Sequence, residues 1–228
     1  MDERGFNEAL TDLQREVTNL QTPEDREAEL QRRLTLANVP KNLRDVSLDM
    51  IPDNFAYKKR VAAWPMYYWR TSVREKELAR GMFLFGPPAS GKTALLAGTT
   101  AWLVRNRLPA YFFKASKLLD EARTPTIPNP DSSDLTVFDY LTQVRVLCLD
   151  DIYRVGENRF GAMTLEIVEN LLRDRWDAGL TTNLSANVTL DQLAQTHARL
   201  ASVIEEQQVS VEVKGLNWRK LMAADEPF

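Results

Sequence analysis

The segment Gly86-Pro87-Pro88-Ala89-Ser90-Gly91-Lys92-Thr93 carries the residue types needed to hold a chain of phosphates. Gly86 and Gly91 let the backbone wrap closely around an anion. The amides of Ala89, Ser90 and Gly91 would point inward at the start of a helix, whose partial positive charge favours phosphate. Lys92 would neutralise the β- and γ-phosphates of a nucleotide such as ATP, and the Thr93 hydroxyl would hold Mg²⁺. Pro87 and Pro88 offer no N–H and serve only to stiffen the entry.

A second chemical element is the run Val144-Arg145-Val146-Leu147-Cys148-Leu149-Asp150-Asp151. Its two acids follow an apolar strand, at the carboxyl end where open α/β sheets place their ligands. Asp150 suits contact with the magnesium ion, and Asp151 suits the base that orients an attacking water. The bland alternative for such a pair is that it caps the next helix. Asn183, in Thr181-Thr182-Asn183, is a third candidate, able to place an amide near a γ-phosphate between the other two motifs.

These groups need a frame. Met82 to Phe85 is a short apolar run suited to a strand buried on both faces, and an alanine- and leucine-rich helix follows from Gly91 to about Asn106. Ala110 to Phe113 reads as the next strand, Lys117 to Arg123 as a short helix, and Val144 to Leu149 as a third strand. Between them the prolines and small polar residues of Thr124 to Asp134 mark a loop. Strand alternating with helix predicts a parallel sheet covered by helices on both faces.

Ahead of this core, Phe6, Leu10, Leu13, Val17 and Leu20 form an apolar stripe at helical spacing among acidic neighbours. Two readings stand for it: a helix folded on its own domain, or an arm that docks a partner. Thr22-Pro23-Glu24-Asp25 reads as the cap and first turn of a second helix ending before Pro40. Acids outnumber bases from Met1 to Thr35 and the balance reverses from Lys41 to Arg80, which places a composition boundary near residue 40. Phe55 to Arg70 mixes aromatic with basic residues; it could stack on bases, or it could be a helix bent at Pro65 whose aromatics pack on the core.

The chain has 228 residues, 44% hydrophobic and 27% charged, enough for one main core with an appendage. A single cysteine and a single histidine exclude an internal disulfide and any site needing two of either residue. No run is long and apolar enough to cross a bilayer and the N-terminus lacks a signal pattern, so a cytoplasmic location with no membrane partner is expected. A net charge of −3 means that nucleic-acid binding would need local basic patches. Arg154 and Arg159, in the loop after Asp151, are the leading DNA-contact candidates, with Lys114, Lys117 and Arg123 behind them.

From Leu36 to Lys220 the sequence resembles an AAA+ ATPase, and more narrowly the DnaC/DnaI helicase loaders and their relatives, the IstB transposition helpers. The resemblance rests on ANVPKNLRDVSLD, GMFLFGPPASGKT, LCLDDI, IVENLLRDRWDAGLTTNLS and RLASVIEEQQVSVEVKGLNWRK. It implies an α/β P-loop AAA+ core over residues 39–228, without a C-terminal helical lid, preceded by a helical partner-binding extension over residues 1–38. It assigns nucleotide and magnesium to Lys92 and Thr93, the acidic motif to Asp150 and Asp151, and the first sensor to Asn183. Gly179 and Leu180 alone separate the preceding helix from Thr181, so the sensor strand is expected to be shortened. In the RxxxR pattern of such proteins, Arg199 matches the first arginine and Val203 replaces the second, which would act in trans on a neighbour's ATP.

The resemblance further implies self-assembly into a ring or spiral with single-stranded DNA in its channel. The expected function is ATP-dependent loading of a replicative DNA helicase, gripped through the N-terminal helices. The alternatives are a helper that recruits a transposase, or an ATP-gated scaffold with little hydrolysis.

Overall fold

A computed structural model describes residues 22–51, 53–123, 136–153 and 159–214. The stripe from Phe6 to Leu20, the loop from Thr124 to Asp134 and the segment after Lys214 lie outside the described residues. Two helices come first, α1 (Pro23–Leu36) and α2 (Lys58–Tyr68). Then α3 (Lys92–Arg105), α4 (Leu118–Arg123), α5 (Val137–Gln143), α6 (Arg159–Asp177), α7 (Leu190–Thr196) and α8 (Ala198–Gln207) alternate with strands β1 (Gly81–Phe85), β2 (Ala110–Lys114), β3 (Val146–Asp150), β4 (Thr181–Ala186) and β5 (Gln208–Glu212). The strands form one sheet in the order β2-β3-β4-β1-β5, and every pairing is parallel. Parallel neighbours need crossover connections, which the helices supply.

Alternate residues of β1, β2 and β3 feed two different cores. Met82, Leu84, Phe112, Val146 and Cys148 pack with residues of α1, α2 and α3, whereas Phe83, Phe113, Leu147, Leu149 and Leu184 pack with residues of α6 and α8. Both faces of the sheet are therefore covered, which is why β1 and β3 read as unbroken apolar runs. Local signals fix several helix starts. Thr22 with Asp25, Thr136 with Asp139 and Thr189 with Gln192 each form a reciprocal capping box, satisfying amides that the first helical turn cannot.

The strand expected to be short is not. β4 spans six residues, all buried, and begins directly at Thr181. Its polar side chains hid it, because each finds a partner inside the sheet layer. Thr181 Oγ1 donates to the Ala79 carbonyl at 2.9 Å, Thr182 Oγ1 accepts from Arg175 Nε at 2.8 Å, and Asn183 Oδ1 accepts from the Met82 N–H at 2.7 Å. Buried polar groups cost little once bonded, so a central strand need not be apolar.

The boundary expected at residue 38 also falls within packed structure. Leu34 of α1 is fully buried in the core shared with α2 and α3, a burial worth about 2 kcal/mol. Arg33 donates to the Val104 carbonyl at the end of α3. Beyond the helix, the Phe112 N–H donates to the Ala37 carbonyl and Asn38 Nδ2 to the Phe112 carbonyl, both at 2.9 Å, so the chain covers the open edge of β2. Within the described residues this helix is an integral part of the core.

The aromatic and basic segment resolves mostly into core. Tyr57, Trp64 and Tyr68 are buried, Trp64 and Tyr68 stack with ring centroids 5.5 Å apart, and Trp64 Nε1 donates to the Arg80 carbonyl at 2.9 Å. Pro65 lies inside α2, which runs on into a π-helical turn from Trp69 to Arg74. Trp69 keeps 39% of its surface exposed.

Candidate functional site

β1, β4 and β3 are adjacent, so their carboxyl ends set the phosphate-loop residues, the end of β4 and the paired acids side by side. The loop departs from β1 at Gly86, with φ +151°, where an added Cβ would sit 2.3 Å from the Val213 carbonyl oxygen. Only glycine fits there. Ala89 and Gly91 also take positive φ, 63° and 98°, and turn the chain into α3. No side chain caps that helix start at Gly91, so its first amides remain available to an anion.

Lys92 is 7% exposed, with Nζ donating to the Gly86 and Pro87 carbonyls at 2.8 Å each. Burial lowers its pKa from the ordinary lysine value, while the nearby charges of Asp151 and then Asp150 act in the opposite direction. Thr93 Oγ1 lies 3.0 and 3.1 Å from the two carboxylate oxygens of Asp150. Asp150 is 3% exposed, and burial pushes its carboxyl up from the usual aspartate value; hydrogen bonds from Ser185 and Thr93 pull it back, and the charge of Asp151 adds to the rise.

A hydroxyl and one carboxylate side by side fit Mg²⁺, which takes hard oxygen ligands and is commonly completed by water and substrate phosphates. No cluster of three or more His, Cys, Asp or Glu side chains able to hold a metal occurs among the described residues, which excludes a carboxylate cage there.

Asp151 occupies the left-handed region at φ +60°. A non-glycine residue there carries strain of order 1 kcal/mol or more, a feature that clusters at functional sites. Asn187 Nδ2 donates to Asp151 Oδ1 at 2.9 Å, and the Asp151 N–H donates to Ser185 Oγ at 2.9 Å. Ser185 Oγ in turn donates to Asp150 Oδ1 at 2.7 Å.

The structure thus brings Gly86, Ala89, Ser90, Gly91, Lys92, Thr93, Asp150 and Asp151 to one end of the sheet. It does not bring Asn183 there. That side chain is fully buried mid-strand, its amide committed to the Met82 N–H and, at 3.5 Å, to Cys148 Sγ. The expectation of a shortened strand ahead of Thr181 does not hold: β4 begins at Thr181 and runs to Ala186, which puts Asn183 in its interior. Side chains alternate along a strand, so Ser185, two residues further, follows Asn183 on the same side and reaches Asp150, and Asn187, just past the strand's end, reaches Asp151. Sequence reading missed both; the signal available was the polar stretch continuing past Asn183.

Arg199 is exposed in the first turn of α8, whereas Val203, one turn on, is 2% exposed and packed in the core. Arg154 lies outside the described residues, and Arg159 is placed only as the first backbone position of α6. Lys114 and Lys117 are exposed, with Lys114 in register beside Asp150 at the same end of the sheet.

No family model matches this chain. No curated protein matches it either. Solved structures do. The chain is similar to DnaI, with TM-score 0.61 and 23% identity over 78% of this chain and 93% of that one. It is similar to the DnaC helicase loader, with TM-score 0.61 and 19% identity over 77% of this chain and 100% of that one. AMPPCP-bound DnaA from Aquifex aeolicus is similar at TM-score 0.56 and 16% identity, over 80% of this chain and 56% of that one. At these identities the likeness is one of fold. The chain shares the parallel α/β fold, its sheet covered by helices on both faces, with the solved structures of DnaI and DnaC. Among the described residues, no helix is long and apolar enough to cross a membrane.

Proposed function

We propose that this protein binds ATP with Mg²⁺ and hydrolyses it, using the nucleotide to gate loading of a replicative DNA helicase onto single-stranded DNA. The observation that carries the reading is the convergence of Lys92, Thr93, Asp150 and Asp151 at one end of the sheet, in a fold shared with a DnaC helicase loader. The amides of the loop from Ala89 to Gly91 would hold the phosphates, with Lys92 leaving its own loop carbonyls for the β- and γ-oxygens. Thr93 and Asp150 would hold the metal, and Asp151 would orient the attacking water.

Arg199, exposed near the start of α8, is available to a neighbouring subunit in an assembly with single-stranded DNA in its channel. A transition-state arginine supplied in this way is worth about 10³ to 10⁵ in rate. Arg154 and Arg159 are proposed DNA contacts, and the segment from Phe6 to Leu20 is the proposed grip on the helicase.

The test is ATP turnover by the full chain with and without single-stranded DNA, together with capture of a replicative helicase. Turnover stimulated by DNA, lost in Lys92→Ala, and helicase capture lost in Leu10→Asp/Leu13→Asp are the expected results. A chain that hydrolyses ATP but captures no helicase would reject the loader assignment and leave the ATPase.

A further inference from the structure

Ser185 bonds both acids of the site through its one side-chain oxygen, and it lies 1% exposed near the end of β4. We infer that Ser185 is the positioning residue that sets the metal-binding geometry, orienting the Asp150 carboxylate and holding Asp151 in its left-handed turn. The inference rests on the ATP- and magnesium-binding reading above and assigns that site a residue outside its two motifs.

The hydroxyl has a single proton to give. The Asp151 N–H already donates to Ser185 Oγ at 2.9 Å, which directs the Ser185 proton to Asp150 Oδ1 at 2.7 Å. One oxygen atom therefore fixes the backbone of one acid and the side chain of the other. The Ser185 main chain completes the clamp: its carbonyl accepts from the Ile152 N–H at 2.9 Å, so the peptide groups on both sides of Asp151 are tied to the same residue.

Thr93 contacts the same Asp150 carboxylate from the opposite motif. Thr93 would offer a lone pair to a magnesium ion while its proton still goes to Asp150, so the carboxylate would be held by Thr93 from one side and by Ser185 from the other. Asp151, held at φ +60° from its amide side, presents its carboxylate to Asn187 Nδ2. Outer partners of this kind commonly set metal affinity by about 10- to 100-fold.

The experiment is titration of the full chain with a fluorescent ATP analogue, first in EDTA and then at stepped Mg²⁺ concentrations, for the wild type, Ser185→Ala and Ser185→Cys. The expected result is an unchanged affinity in EDTA and a magnesium half-saturation raised about 10- to 100-fold in Ser185→Ala. Ser185→Cys is nearly isosteric and its thiol is a weak donor, so it should shift the same way, and it decides the question if the alanine variant does not fold. A half-saturation within about twofold of wild type overturns the inference, as does an equal loss of affinity with and without magnesium, which would mark a role in packing alone. Absence of analogue binding by the wild type would instead refute the nucleotide-binding reading on which this one stands.

Discussion

Among the described residues two cations are buried, Arg175 and Lys92, and their surroundings differ in kind. Arg175, fully buried in α6, spends its guanidinium on four neutral oxygens: Thr182 Oγ1 at 2.8 Å and the carbonyls of Leu141, Val144 and Thr181 at 2.6, 2.9 and 2.7 Å. These partners belong to β4 and to the C-terminal end of α5, so the side chain ties α6 to both. Lys92 instead bonds the carbonyls of its own loop, in reach of the fields of two carboxylates. Its partners are replaceable by phosphate oxygens without loss to the fold. A buried cation saturated by distant elements holds structure; one bonded only within its own loop can be released to a ligand.

Burial lowers the pKa of Arg175 to about 10. Because the folded value lies below the ordinary arginine value, folding disfavours the charged form, and stability rises only as pH climbs from the folded value toward the ordinary one. At neutral pH the cost is fully present, and the four bonds offset it.

The contrast can be broken by substitution. The largest expected effect is that of Arg175→Met. It leaves four oxygens without a partner, at about 1–3 kcal/mol each before relaxation, so a loss of about 3–5 kcal/mol and a fall in Tm on the order of 10 °C are expected in a thermal melt. Folded Arg175→Met should still bind ATP. Lys92→Ala should do the reverse, weakening ATP about 10- to 100-fold by calorimetric titration while Tm stays within a few degrees.

The two asparagines sharpen the same distinction on a smaller scale. Asn183→Leu strands the Met82 N–H and should cost about 1–3 kcal/mol in denaturant unfolding, with hydrolysis preserved. Asn187→Ala removes the bond to Asp151 and should leave stability within about 0.5 kcal/mol while turnover falls about tenfold or more. If Asn183→Leu abolishes turnover in folded protein, its assignment to structure is wrong. Asp150→Asn removes a buried carboxylate and should leave stability unchanged or raised by up to about 1 kcal/mol in denaturant unfolding, with magnesium-dependent binding lost.

Much of this was legible in sequence for identifiable reasons. β1 and β3 are buried on both faces by apolar side chains, so Met82–Phe85 and Val146–Leu149 announce themselves, and the glycines at 86 and 91 are demanded by backbone conformation. β4 was misread because Thr181, Thr182 and Asn183 satisfy their polar groups through residues that are remote in sequence, Ala79, Arg175 and Met82. Ser185 and Asn187 followed it into obscurity, since their importance depends on the register Cys148↔Asn183, which carries β4 past the acids. The docking of α1 was likewise hidden. Its polar surface reads as an appendage, and only the contacts of Arg33, Leu34 and Asn38 with the core reveal otherwise.

The central claim is that the loop at Gly86–Thr93 and the acids at 150 and 151 form one magnesium-nucleotide site. Calorimetric titration of the full chain with ATP, in magnesium and in EDTA, tests it most directly. Saturable binding that is stronger in magnesium and weakened about 10- to 100-fold by Lys92→Ala is the predicted result, and heats indistinguishable from dilution under both conditions would contradict it.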